Sequence, residues 1–136
     1  MYKSEEYTKP YVKMRIKDVL NSKKEMLGSR VIILAGKYKV PRIRVVGVVD
    51  RVYRYKNRVE LVIDDGTGEI TVKVWNEKLT AIENIEKGQT VEVFGSLRTY
   101  KDVIYINPDK ILEVTPDYLK LRTLEAELIK SMMFKQ

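Results

Sequence analysis

The stretch Leu61–Trp75, LVIDDGTGEITVKVW, decides how the chain folds. Val59, Leu61 and Ile63 alternate with Arg58 and Glu60 ahead of it. Ile70, Val72 and Val74 alternate with Thr71, Lys73 and Trp75 at its end. Period-two alternation marks strands with one buried face. Between them DGTG, at Asp65–Gly68, is turn chemistry, with glycines free to take positive φ. The segment therefore reads as a hairpin. With its branched aliphatics turned inward, the single tryptophan lies outside, beside Lys73.

Working outward, RIRVVGVVDRVYRY (Arg42–Tyr55) is a long β-branched strand interrupted by Gly47. A glycine inside a strand signals a bulge or sharp bend. Lys56–Asn57 makes a turn into the hairpin. NEKLTAIENIEKGQ reads as a short helix or loop, TVEVFGSL as a fourth strand, RTYKD as a turn, and VIYINPDKILEV as a fifth, broken strand. Upstream, Val12, Met14 and Ile16 alternate with Lys13, Arg15 and Lys17 as a short strand. Ile16, Val19 and Leu20 then space like a helical turn, an element ended by Gly28. RVIILAGKYKV is a strand pair, or a strand and turn, around Gly36, and Pro41 breaks the run. At the far end Thr115, Pro116 and Asp117 form a helix start: a cap, a first-turn proline and a dipole-matched acid.

Three meandering strands, a helical linker, two more strands and a terminal helix are the plan of an all-β, five-stranded OB-fold Greek-key barrel with a short linker helix and a C-terminal α-helix. A small barrel needs a strongly coiled first strand, and Gly47 supplies the bend. The expected division is a flexible tail over 1–11, the barrel over 12–115 and an assembly helix over 116–136.

The chain's 136 residues suit one domain. With neither cysteine nor histidine, disulfides, thiolate chemistry and the usual zinc sites are excluded, and the commonest general base is missing. No apolar run approaches the roughly 18–20 residues of a membrane span, and the N-terminus lacks a secretory h-region. An intracellular protein is expected, in cytoplasm or nucleoid if archaeal and in the nucleus if eukaryotic, with no membrane partner. The net charge of +7 is uneven: residues 1–42 carry 11 basic and 4 acidic side chains, residues 43–115 carry 11 and 12, and residues 116–136 carry 4 and 3. A basic N-terminal third suits a polyanion, or is simply a solvated charged segment.

In such a barrel the outer face of the second and third strands is the usual oligonucleotide groove. An exposed indole beside a cation is what stacking on an unpaired base requires, which singles out Trp75 and Lys73. Arg98, Tyr100 and Lys101 fall near the turn that rims the same groove. Arg51, Tyr53 and Tyr55 share a face of the first strand, and Arg54, Lys56 and Arg58 add charge near its hairpin. Each has a plainer reading. Trp75 can pack under a loop, and Tyr100 can be a core-edge residue. Tyr53 and Tyr55 can merely cover the barrel or meet the terminal helix. Asp64–Asp65 is a paired carboxylate, yet turn hydrogen bonding accounts for it, and no enzyme activity, metal, cofactor or small-molecule substrate is expected.

VVGVVDRVYRYKNRVELVIDDGTGEITVKVW, then VEVFGSLRTYKDVIYI, then a terminal helix, resembles the middle subunit of replication protein A in its central OB domain, over about Val31 to Met133. MRIKDVL looks like that family's lead-in strand and helical turn. The resemblance implies a single-stranded DNA-binding subunit of a heterotrimer, acting in replication, repair and recombination. It implies bases stacked on an aromatic at the end of the third strand and on another between the fourth and fifth, which here match Trp75 and Tyr100. It further implies a terminal helix that joins helices of other subunits. The chain departs from the pattern in lacking a C-terminal winged helix and a Ser-rich N-terminal tail, as an archaeal or stand-alone version would.

Leu121, Leu124, Leu128 and Met132 form one stripe of the terminal helix, widened by Leu119, Ile129 and Met133. One face can cap the barrel, but a stripe this broad fits a partner helix, with Leu121, Leu124, Leu128, Ile129 and Met132 as contacts. The near-neutral barrel implies weak binding alone, strengthened by linked domains. Two alternatives remain: a structural subunit that mainly holds partners, and an RNA- or tRNA-binding module.

Overall fold

The computed structural model describes residues 6–8 and 10–133. In chain order they form β1 (Glu6–Tyr7), β2 (Val12–Lys13), α1 (Ile16–Asn21), β3 (Lys23–Leu27), β4 (Arg30–Ala35), β5 (Tyr38–Val40), β6 (Ile43–Arg54), β7 (Arg58–Asp64), β8 (Glu69–Trp75), a 3-10 helix (Asn76–Ile82), β9 (Thr90–Tyr100), β10 (Val103–Val114) and α2 (Pro116–Met133).

The barrel is β6 to β10. β6 pairs with β9 through Ile43–Val48 and with β7 through Val48–Arg54. β7 pairs with β8, β8 runs parallel to β10 at Thr71 and Val72, and β10 returns antiparallel to β9. The pairings thus come back to their start, as an OB barrel requires. Gly47 sits where β6 changes partner. A Cβ there would lie 3.1 Å from the Asp64 carbonyl oxygen, so the bend expected from the sequence depends on a missing side chain. Gly95 is tighter still: a Cβ would stand 2.3 Å from the Asn107 carbonyl oxygen, opposite the irregularity at Pro108 that breaks β10.

Alternation fills the interior. Val45, Val49, Leu61, Ile63, Ile70, Val72, Val74, Val91, Val93, Leu97 and Ile106 are all buried in one cluster. Each such side chain stabilises the fold by about 1.5–3 kcal/mol relative to exposure. The 3-10 helix and the loop after it close one end of this core with Leu79, Ile82 and Ile85.

The N-terminal region differs from expectation. Val12, Met14 and Ile16 are buried as the alternation requires, but only Val12–Lys13 is strand, and α1 begins at Ile16. The element before Gly28 is not one helical unit: Lys23–Leu27 is a strand, paired with β4. Its sequence, KKEML, has no β-branched residue and no alternation. It is strand because β4 offers it a backbone edge. β4 in turn joins β9 at Arg30↔Arg98 and Val31↔Leu97, so a small sheet extends from the barrel wall. Part of the expected tail is ordered as β1 against β5, while residues 1–5 and 9 lie outside the described ones, as do the last three residues of the expected terminal helix.

α1 has only six residues, too few to be stable alone. The DGTG turn supplies its missing partners. Asp65 Oδ2 accepts from the Ile16 N–H at 2.9 Å, and Thr67 Oγ1 accepts from the Lys17 N–H at 3.1 Å. Asp65 Oδ1 holds Thr67 in place by accepting from its N–H and its hydroxyl.

α2 lies along β2 and the outer face of β6 rather than under the barrel. Ala126 is buried, and Ile129 and Met133 pack against the core cluster. Placing Ile129 in the partner stripe is therefore corrected: it is turned toward its own barrel, about one residue round the helix from Leu128. Polar clamps complete the seam. Glu92, buried on β9, accepts from Arg44 Nε at 2.9 Å and from the Tyr118 hydroxyl at 3.0 Å. Asp18, buried on α1, accepts from Arg15 Nε at 2.7 Å, and Lys130 Nζ lies 2.9 Å from its other oxygen. Burial alone would raise the Asp18 pKa. The hydrogen bonds and charges of Arg15 and Lys130 outweigh it, so the carboxyl sits below its ordinary value.

Gly95→Ala is expected to cost about 3 kcal/mol or more, since backbone rather than a flexible side chain blocks the methyl. A lower denaturant midpoint with an unchanged slope is the readout. Asp18 has a depressed pKa in the folded state. Its contribution is whole above the ordinary carboxylate pKa of about 4 and is lost as pH falls through the folded value. Asp18→Asn should remove that part of the acid sensitivity: its melting temperature, lower at neutral pH, should converge on that of the unaltered chain as pH drops from about 5 to 2.

Candidate functional site

Strand parity places the outer side chains. On β8, Ile70, Val72 and Val74 are buried, while Trp75 is 37% exposed. More than a third of the indole is thus open to solvent. On β7, directly opposite, stands Arg58. Its guanidinium lies 5.6 Å from the Trp75 ring and 4.2 Å from the Tyr55 ring, while its Nε donates to Glu60 at 2.7 Å. Tyr55 therefore belongs with this cluster.

A second cluster lies beside it. Lys73 reaches across to the neighbouring strands, its Nζ 4.3 Å from the Tyr105 ring and 5.5 Å from the Tyr100 ring. Tyr100, at the end of β9, is 60% exposed, and Lys101 Nζ is 5.4 Å from the same ring. The turn there is tighter than RTYKD implied. Arg98 and Tyr100 are still strand, and only Lys101 and Asp102 make the turn, at φ of 51° and 64°. Both residues pay the steric cost of a left-handed backbone, and the result is that Tyr100 is held at the rim.

Tyr105 escaped the sequence reading, although a signal was there. In VIYINPD the alternation that buries Ile106 turns Tyr105 outward. It pairs with Arg98 on β9 and Thr71 on β8.

The remaining residues divide. Tyr53 is exposed and faces Glu60, which faces Lys73, so a row runs from β6 to β8. Arg51 lies on the same outer face but is tied to Glu69 at 2.9 Å and Asp50 at 3.2 Å. Lys56 is exposed in the β6–β7 turn. Arg54 points elsewhere, its Nη2 donating to the Ile85 carbonyl at 3.0 Å, and so anchors the linker. Asp64 and Asp65 are occupied as turn acceptors, Asp64 Oδ1 receiving the Gly66 N–H at 2.7 Å. The outer face thus offers flat π-surfaces interleaved with cations. That arrangement stacks planar rings and neutralises nearby anions.

Residues 43–114 match the family described as the OB-fold nucleic acid binding domain, and the chain belongs to that family. It is also 33% identical over 82 residues to an uncharacterized 18.7 kDa protein in the ribosomal RNA operon of Thermofilum pendens. That match covers 58% of this chain and 48% of the relative, so the chain spans about half the relative's length. Three solved structures share the fold nearly end to end. A chain of a replication protein A heterotrimer bound to ssDNA superposes with a TM-score of 0.71 at 21% identity, covering 90% of this chain and 98% of that one. A chain of the S. pombe Stn1-ten1 complex gives 0.80 at 17% identity, covering 93% and 96%. A chain of yeast RPA bound to ssDNA gives 0.60 at 26% identity, covering 92% and 94%. The fold is therefore that of an OB protein of the replication protein A type, terminal helix included.

Because Trp75 is the only indole and is open to solvent, its native emission is expected to be red-shifted and readily quenched by acrylamide. Lys73→Ala should leave that emission unchanged, whereas Arg58→Ala should alter it. Steady-state fluorescence of the folded chain checks both.

Proposed function

We propose that this chain binds single-stranded DNA as a subunit of a replication protein A-like assembly in replication, repair and recombination. The observation that carries the reading is the exposure of Trp75 and Tyr100 on one outer barrel face, with Lys73 and Arg58 against the rings. Unpaired bases stack on the indole and the phenol, while Lys73, Arg98 and Lys101 neutralise phosphates between them. Arg51 and Tyr53 extend the path along β6, with Lys56 and Arg58 at its turn. Duplex DNA presents no free base face, so stacking selects single strands.

The partner side of the proposal rests on α2. Leu121, Leu124, Leu128 and Met132 are 51–68% exposed in one stripe, facing away from the barrel. This is the surface for helices of other subunits, and the likeness to chains of a heterotrimer and of the Stn1-ten1 complex supports it. The chain acts as a binding module rather than a catalyst. RNA is the competing ligand, since aromatic stacking does not distinguish the two; the relative in a ribosomal RNA operon supports that reading.

Stacking contributes roughly 1–3 kcal/mol per aromatic. Trp75→Ala with Tyr100→Ala should therefore weaken oligothymidine binding by at least about 30-fold, with little change in melting temperature. Anisotropy of a labelled oligomer measures it. Unchanged affinity would falsify the groove assignment, and a matched oligouridine that binds more tightly would replace DNA with RNA.

A further inference from the structure

Arg30 opens β4 and is exposed at the start of the sheet that extends from the barrel. Its cross-strand partner on β9 is Arg98. Val31 and Leu97, the next pair, are buried, so parity turns both arginines to the outer face. Arg98 is in turn paired with Tyr105, and Tyr105 with Thr71. One continuous row therefore crosses β4, β9, β10 and β8, and Lys73 leans over its tyrosine.

Two arginines directly opposite each other repel, and like charges in this position destabilise a sheet. Among the described residues no carboxylate forms an ion pair with either. Arg98 Nε is moreover buried with no hydrogen-bond partner. An unsatisfied buried donor is costly and rare. A single anion between the two guanidinium groups offsets the repulsion, although it does not reach the buried Nε. The guanidinium fork matches phosphate oxygens in pairs. The pair is also held in place: the Thr99 N–H donates to the Ser29 carbonyl at 2.9 Å, pinning the β3–β4 turn against β9.

We propose that Arg30 and Arg98 together clamp one backbone phosphate of the bound strand, so that the nucleic acid path leaves the barrel and crosses onto the β3–β4 hairpin. This rests on the function proposed above. Arg30 lies outside residues 43–114, so the path is longer than the family domain alone. The clamp adjoins Tyr105 directly and Tyr100 two residues along the same face. A phosphate held there belongs to a nucleotide whose base is within the second aromatic cluster.

The test compares Arg30→Gln with Lys37→Gln, which removes the same charge from the exposed β4–β5 turn. Labelled oligothymidine is titrated with each full-length chain by anisotropy at several salt concentrations. Arg30→Gln should weaken binding about 3- to 10-fold at low salt and reduce the salt slope by about 0.7, the value for one phosphate on a single strand. Its melting temperature should be unchanged or higher, because a repulsion is relieved. Lys37→Gln should bind as the unaltered chain does. Equal affinity and slope for both variants would overturn the clamp, as would a lower melting temperature for Arg30→Gln, which would mark Arg30 as a structural support. If the Trp75/Tyr100 variant loses binding while Arg30→Gln does not, the groove stands and the clamp falls. If the unaltered chain binds no oligomer, both readings fall.

Discussion

Everything on the outer face depends on two places where backbone touches backbone. At Gly47 the long strand β6 leaves β9 and takes up β7, and at Gly95 strand β9 lies against Asn107 of β10. These contacts close the ring of five strands around a core of branched aliphatics. Once the ring is closed, parity has no freedom left. Val72 and Val74 go in, and Lys73 and Trp75 go out. A shift of one residue would exchange the two faces and bury the indole with the cations. The aromatic face is therefore a by-product of how the core is packed. No separate device is needed to expose it.

The terminal helix shows a different balance. Its seam with the barrel is small and largely polar, built on Glu92 and Asp18 with their arginine, lysine and tyrosine partners. Arg122 with Glu92, and Lys13 with Glu125, add a second tier. Hydrogen bonds of this kind fix orientation well but contribute modest net stability. A seam satisfied mainly by polar groups leaves the helix's leucines with no place in the chain's own core. That is why Leu121, Leu124 and Leu128 stand in solvent while Ala126 and Ile129 face inward.

The sequence was most readable where local pattern and tertiary demand coincide. The β7–β8 hairpin, the bend at Gly47, the turn at Lys56–Asn57 and the start of α2 at Pro116 could all be read from alternation and turn chemistry. Trp75 followed from the same alternation. Tyr105 was within reach of that rule, since Ile106 beside it is core. Lys23–Leu27 was not legible at all, because nothing in KKEML favours a strand. Its conformation is imposed by hydrogen bonds to β4. Ile129 could not be assigned to a side of α2 by spacing alone: it lies about 100° round the helix from Leu128, at the edge of the stripe, and packs against the core cluster. The tie of Arg54 to the Ile85 carbonyl, likewise, depends on where the linker runs.

The Asp65 carboxylate reaches back 49 positions to accept the first amide of α1. A helix that short cannot nucleate by itself. On a ribosome its residues emerge well before the hairpin that caps them. α1 therefore waits for its cap until β7 and β8 have been made. The start of α1 is thus docked onto a turn made later in synthesis. During that interval the basic third of the molecule is free of the barrel that later holds it.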